Sequence, residues 1–599
     1  MSFVAAAILM ALPATAQAEK APGALPEIGS ATGALADAPN RREGDGIPDQ
    51  LSGSQREEYR AIFAAIRGER WDEAKQRLEA MRPGPLHPIA RAELYTAANS
   101  PRVELEPLQA LLAEAPELPQ AAQIGRLAAL RGAMTQAALP VEQRLRWYNA
   151  APVRQRLRGI STDPVATEVI LAMQPFIRED DGAGAEQTLA RFAADLSPEA
   201  RTEWQQKVAW IYYTAGDDAN ARRMAREAQA GTGEFAAQAD WVQGLAAWRQ
   251  RDCRDAASAF DAVSRRASDP EMRSAGLYWL SRAHMACERP GDVTAALRGA
   301  AQYDETFYGL LARQALGIEE AGAAGEQYVT ADWRALQERS NVRTAAALME
   351  IGEAELAEEV LKHQARIGNA GEHGALTRLA GRLNLPSTQL WLSHNAPADA
   401  PPVEMARYPA PNWTPDGGWR VDRALVFAHT LQESRFRTEV RSAAGAMGLM
   451  QVREGAAIDV SRRRGVDYAS ADLTDPSINM EIGQSYLEQL RDTAFTQGLL
   501  PKVIAAYNAG PTPVQAWNSL TKDNGDPLLY IESIPYWETR GYVMIVLRNY
   551  WMYERQDGRR SASRAALAQG LWPRFPGLPG QEGVRLSGGG GGQAIAGAR

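Results

Sequence analysis

From Gln55 to about Leu392, apolar and polar positions recur with the period of an amphipathic helix, and short polar or glycine-bearing breaks divide the run. Glu57 to Met81 reads as two helices parted at Arg67-Gly68-Glu69, with Trp71, Ala74 and Leu78 on one face of the second. Breaks of the same kind recur at Ala215-Gly216-Asp217, Asp252-Cys253-Arg254, Pro290-Gly291-Asp292 and Ile351-Gly352-Glu353. An Ala-rich amphipathic helix follows each. Several breaks are spaced by roughly the mid-thirties of residues, the period of stacked helical hairpins. Residues 54–395 are therefore expected to form an α-superhelical domain, the alternative being a helical domain without true repeats. Thr306-Phe307-Tyr308-Gly309-Leu310-Leu311-Ala312 is its most distinctive stretch and reads as core packing.

A different pattern follows residue 418. Ala424 to Leu431 is almost wholly apolar and leads straight into Glu433, after which the chain turns through Gly445 and Gly448 to Gln451. With Asp422 as N-cap, this predicts an internal helix that delivers one carboxyl group to its C-terminal end. Desolvation and the negative pole of the helix dipole both disfavour the anion there and raise its pKa. A carboxylic acid still protonated near neutral pH is a general acid.

Alanine, leucine, arginine and glutamate dominate, and β-branched runs are scarce, so the fold class is expected to be all-α. At 599 residues the chain needs several structural units. Proline and glycine mark the edges. Residues 19–53 read as a flexible leader, 396–418 as a Pro-rich linker, 419–558 as a compact helical unit, and 559–599 as a disordered, basic, Gly-rich tail. Val4 to Leu12 and Ala16-Gln17-Ala18 read as the apolar region and cleavage site of a signal peptide over residues 1–18, without the usual basic start. No later run reaches the roughly 18 apolar residues of a membrane span, so an exported, soluble protein without integral membrane segment is expected. A net charge of −8 argues against nucleic acid as the main partner. Cys253 and Cys287 are the two cysteines; they fall at similar places in successive hairpins. Whether stacked repeats bring them within disulfide reach is open.

Four clusters in the last unit carry the candidate chemistry: Glu433-Ser434-Arg435-Phe436 with Ser442 beyond; Gly448-Leu449-Met450-Gln451; Ala506-Tyr507-Asn508-Ala509-Gly510; and Tyr530 to Val543, which holds Glu532 and Glu538-Thr539-Arg540-Gly541-Tyr542. In this order they resemble the catalytic domain of the soluble lytic transglycosylases, which cleave bacterial peptidoglycan and have a goose-lysozyme-like α fold. The resemblance spans Tyr408 to Arg555 closely and residues 200–395 more loosely; the Phe307–Ala312 stretch resembles the superhelical region of the large periplasmic members. It implies that Glu433 is the single catalytic acid and base. It also implies that Ser442, Met450, Gln451, Tyr507, Asn508, Glu532 and Tyr542 line the glycan groove or orient the acid. The family usually continues past this glutamine with Leu-Met-Pro; here Val452 and Arg453 follow, so an arginine stands at the groove floor. His429, one turn before Glu433, reads as a packed core histidine, with a hydrogen bond near the acid as the other reading.

Ordinary glycosidases need two carboxylates. One acid suffices where the muramoyl 6-hydroxyl supplies the nucleophile and closes a 1,6-anhydro ring. The resemblance implies that chemistry, without metal or organic cofactor, on peptidoglycan strands in the periplasm, by a monomer. The competing readings are a water-using muramidase, with Glu439 or Glu454 as second carboxylate, and a periplasmic scaffold that only grips glycan.

Overall fold

The computed structural model describes residues 46–586, apart from 149, 319–327 and 469. The expected signal peptide lies outside them. Among the described residues there are 27 α-helices and only two pairs of two-residue strands, so the all-α expectation holds. None of these helices is long and apolar enough to cross a membrane.

The hairpins owe their sharp breaks to one repeated device. Asp180, Gly216 and Arg251 each adopt the left-handed conformation, with φ of 51°, 79° and 61°, which ends the preceding helix. The next residue is an aspartate that caps the following helix: Asp181 accepts from Gly184 N, Asp217 from Asn220 N and Asp252 from Asp255 N. Stop and start are thus two adjacent residues, and the device recurs about every 35 residues. It produces the pairs Pro198–Thr214 with Asp218–Gln229, and Gly233–Arg249 with Cys253–Arg266. Pro270–Ala286 packs next along the stack. Cys253 begins one of these helices and Cys287 follows another, at a Cα–Cα distance of 5.5 Å, and they form a disulfide.

The superhelix does not have a single core. Helices between 53 and 130 share one with helices between 330 and 394, the two ends of the expected superhelical domain. Gly53–Arg67 packs on Ser340–Ile351, and Glu350 accepts from the backbone of Gln50 and Leu51 and from Arg56 Nε. Ile47 and Leu51 are buried there, so the end of the expected leader is part of the fold. The helices between 166 and 315 instead share a core with residues 405–575 of the last unit. An extended strap, residues 132–148 and 150–165, links the two. Arg146 and Trp147 pair with Ala396 and Asn395, Gln143 N donates to Arg366 O, and Trp147 stacks on His394.

The tail corrects an expectation. Residues 559–586 are not disordered: Ala562–Ala568 is a helix packed on Phe307–Ala315, and Trp572 is fully buried against Tyr530. Trp551 Nε1 donates to Ser563 Oγ. Leu567, Trp572 and Phe575 supply an apolar face that the surrounding arginines and glycines hid.

Candidate active site

Asp422 caps the acid helix, Arg423–Glu433, by accepting from Ala424 N at 2.9 Å. Ala424 to Thr430 are all buried, as the unbroken apolar run requires. Glu433 closes the helix half-buried. Arg435 and Phe436 then take left-handed φ of 54° and 60°, uncommon for side chains of their size, and the reversal drives Phe436 into the core beside Phe427.

The Gly448-Leu449-Met450-Gln451 turn lies beyond. Gly448 has φ 74°, and a Cβ there would come within 2.3 Å of Asn479 Nδ2 and Leu473 O. Buried Asn479 anchors the turn, accepting from Met450 N and donating to Met447 O and Leu473 O. The Gln451 amide donates to Val440 O and Gly448 O, and Ser442 Oγ accepts from Ala446 N, so both side chains brace this loop. Met450 is buried, its sulfur packed on Gly483, and does not line a groove. Arg453 is exposed.

Two tyrosines stand beside the acid. Tyr542 Oη donates to Glu433 Oε1 at 2.6 Å and lies 2.8 Å from His429 Nδ1. Tyr507 packs its ring on His429 at 4.6 Å and donates its hydroxyl to Met450 O. Asn508 accepts from Thr539 Oγ1 at 2.6 Å. Among the described residues Glu433 has no cationic partner, and its Oε2 makes no hydrogen bond. Burial pushes its carboxyl up to about 7; the Tyr542 hydrogen bond works against the shift and the Glu538 charge adds to it. Burial also lowers His429 to about 3, so the ring is neutral.

Glu532 is placed elsewhere, and its expected groove position is corrected. It is wholly buried, accepts from Arg154 Nη1 and Nη2 at 2.6 and 2.9 Å, and accepts from Tyr308 Oη at 2.6 Å. Strap, superhelix and last unit meet at this carboxylate. The distinctive Phe307–Ala312 stretch is thus more than core: Phe307 stacks on Trp551, and Tyr308 reaches across the seam.

A cavity of about 300 Å³ opens along the same seam, lined by Gln432, Trp537, Glu538, Tyr542, Arg156 and Arg548 among others. It touches the acid's neighbours and not the Ser442–Gln451 loop. The sequence reading gave no role to two residues. Asn479 left no signal beyond a polar residue inside a helix. Glu538 could have been found, because it lies four residues before Tyr542 on the helix Trp537–Gln556 and so shares its face.

A transglycosylase SLT domain model matches residues 416–529. The soluble lytic murein transglycosylase of Salmonella typhimurium is 34% identical over 159 residues, 26% of this chain and 24% of that protein. Its Escherichia coli counterpart is 36% identical over 132 residues, 22% and 20% of the respective lengths. The matched segment thus spans about a quarter or less of these relatives. The crystal structure of the 70 kDa soluble lytic transglycosylase of Escherichia coli aligns with a TM-score of 0.49 at 18% identity, covering 87% of this chain and 99% of that one. The carboxyl group at the end of a buried helix therefore sits within the segment that matches the transglycosylase SLT domain, the part of this chain that is similar to the soluble lytic murein transglycosylases.

Proposed function

We propose that this protein is a periplasmic lytic transglycosylase that cleaves the β-1,4 bond between N-acetylmuramic acid and N-acetylglucosamine in peptidoglycan. The observation that carries the reading is Glu433: a carboxyl with no cation beside it, raised by burial to about 7, and held by one tyrosine hydroxyl. Such a group can give a proton and take one back at the same pH. The protonated acid transfers its proton to the glycosidic oxygen as the bond to the anomeric carbon breaks. N-acetylglucosamine leaves with a free 4-hydroxyl. The carboxylate, which Tyr542 then stabilises by donation, takes the proton of the muramoyl 6-hydroxyl as that oxygen bonds to the anomeric carbon. The acid is restored, and no water is consumed.

Gln451 and Ser442 hold the loop beside the acid, and Tyr507 and Asn508 form the opposite wall in this reading. Glu532 serves to seat the last domain on the superhelix. Mass spectrometry of sacculi digested by wild type and by Glu433→Gln is the test. Muropeptides one water lighter than hydrolysis products, absent with the variant, are expected. Reducing-end products would turn the assignment to a muramidase, for which Glu538, whose charge reaches Glu433, is the second carboxylate to replace.

A further inference from the structure

Three protonatable side chains stand in a row at the acid: His429 Nδ1, Tyr542 Oη and Glu433 Oε1, separated by 2.8 and 2.6 Å. Two arrangements of the hydrogens satisfy both contacts. In the first, Nδ1–H donates to Oη, the tyrosine proton points at Oε1, and the acid's own proton must sit on Oε2. In the second, the acid proton sits on Oε1 and donates to Oη, the tyrosine proton points at Nδ1, and the imidazole carries its hydrogen on Nε2. Only the first leaves the acid proton on the oxygen that makes no hydrogen bond within the protein.

The far side of the ring decides between them. His429 is fully buried, and its Nε2 has no hydrogen-bond partner among the described residues. The second arrangement would bury an N–H donor with nothing to receive it, whereas the first buries only an unused lone pair. Buried orphan donors are rarer and costlier than under-used acceptors. Tyr507, the ring packed on His429, does not rescue the second arrangement: its hydroxyl lies at Met450 O, and although it could still accept, it is not within hydrogen-bond reach of Nε2.

Building on the reading of Glu433 as the acid, we propose that His429 is a positioning residue: as the Nδ1–H tautomer it aims the Tyr542 proton at Glu433 Oε1 and so places the acid proton on Oε2. The ring must stay neutral to do this. Its surroundings favour neutrality, since the groups facing this row are Tyr507 and Tyr542, then Tyr486 behind Tyr507, with Glu538 and Arg453 farther out. Burial accordingly holds the ring's pKa far below neutrality.

The test reads the tautomer directly, by ¹⁵N NMR of the full-length protein labelled at its 6 histidines, with His429→Asn to assign the signal. A neutral ring protonated at Nδ1 from pH 5 to 9 is expected; protonation at Nε2, or an imidazolium in that range, overturns the proposal. This readout needs no turnover, so it stands apart from any failure of the lyase reading. Muropeptide release supplies the second arm. His429→Asn sets an amide donor where Nδ1 stood and should stay within about threefold of wild type, whereas His429→Leu should lose about tenfold in kcat with KM unchanged. Equal kcat for the asparagine and leucine variants would overturn the positioning role.

Discussion

Two glutamates of the last domain, Glu532 wholly buried and Glu433 half-buried, each accept a hydrogen bond from a tyrosine at 2.6 Å, yet they are built for opposite ends. At the seam, Glu532 also meets the two terminal nitrogens of Arg154, which the strap threads under it. Burial opposes the arginine's charge, but the Glu532 carboxylate holds its pKa above the ordinary value. At the acid site the described residues supply no cation. Burial is opposed by one neutral hydroxyl and reinforced by the Glu538 charge, so the proton stays on Glu433 up to about pH 7. The tyrosine is common to both sites. The arginine separates them: with it a buried carboxylate is a fastener, and without it a carboxyl group is a proton donor.

Replacing the acid should have the largest effect. Glu433→Gln should lower anhydro-muropeptide release by about 10³-fold or more, read by mass spectrometry. It should not weaken the fold. Because Glu433 is raised in the folded state, ionising it costs stability as pH rises from the unfolded value toward about 7. The variant should therefore equal the wild type at pH 4 and exceed it by on the order of 2 kcal/mol at pH 8, measured by urea unfolding.

Arg154→Leu should do the reverse, leaving Glu532 buried without its cation at a cost of about 3–5 kcal/mol. Folded molecules should keep their turnover. Adding Glu532→Leu should recover part of that loss, as expected of one coupled unit. A double variant worse than the sum of the singles would break the contrast.

Tyr542→Phe is intermediate, lowering kcat about tenfold. Since the tyrosine hydrogen bond opposes the shift, its loss should also move the alkaline limb of the rate profile, where protonated Glu433 disappears, to higher pH. Glu538→Gln should give the smallest change and the opposite sign. Removing its negative charge should shift that limb downward by about half a unit at low salt, and less at high salt.

Much of this was legible in local sequence. The acid helix was readable because an unbroken apolar run has one place to go, and Asp422 caps it where expected. The hairpins announced themselves through residues that stop one helix and aspartates that start the next. The tail was misread because its arginines and glycines outnumber Leu567, Trp572 and Phe575, and burial depends on where a few apolar side chains land. Glu532 was misplaced because its motif neighbours set only its local place, on the short helix Pro527–Ser533, while its partner lies 378 residues earlier in the chain.

The sequence by itself determined what acts over a few residues: helix starts and stops, the apolar faces, and the placing of one carboxyl at a helix end. Tertiary structure alone decided which buried carboxyl would receive a cation and which would not. It also decided that the first helices share a core with residues 330–394 while the middle helices share one with residues 405–575. The physical reason is range. Capping and periodicity are settled within one or two helical turns, whereas a charge buried in low dielectric is governed by whichever group stands within a few ångströms of it, however distant that group is along the chain.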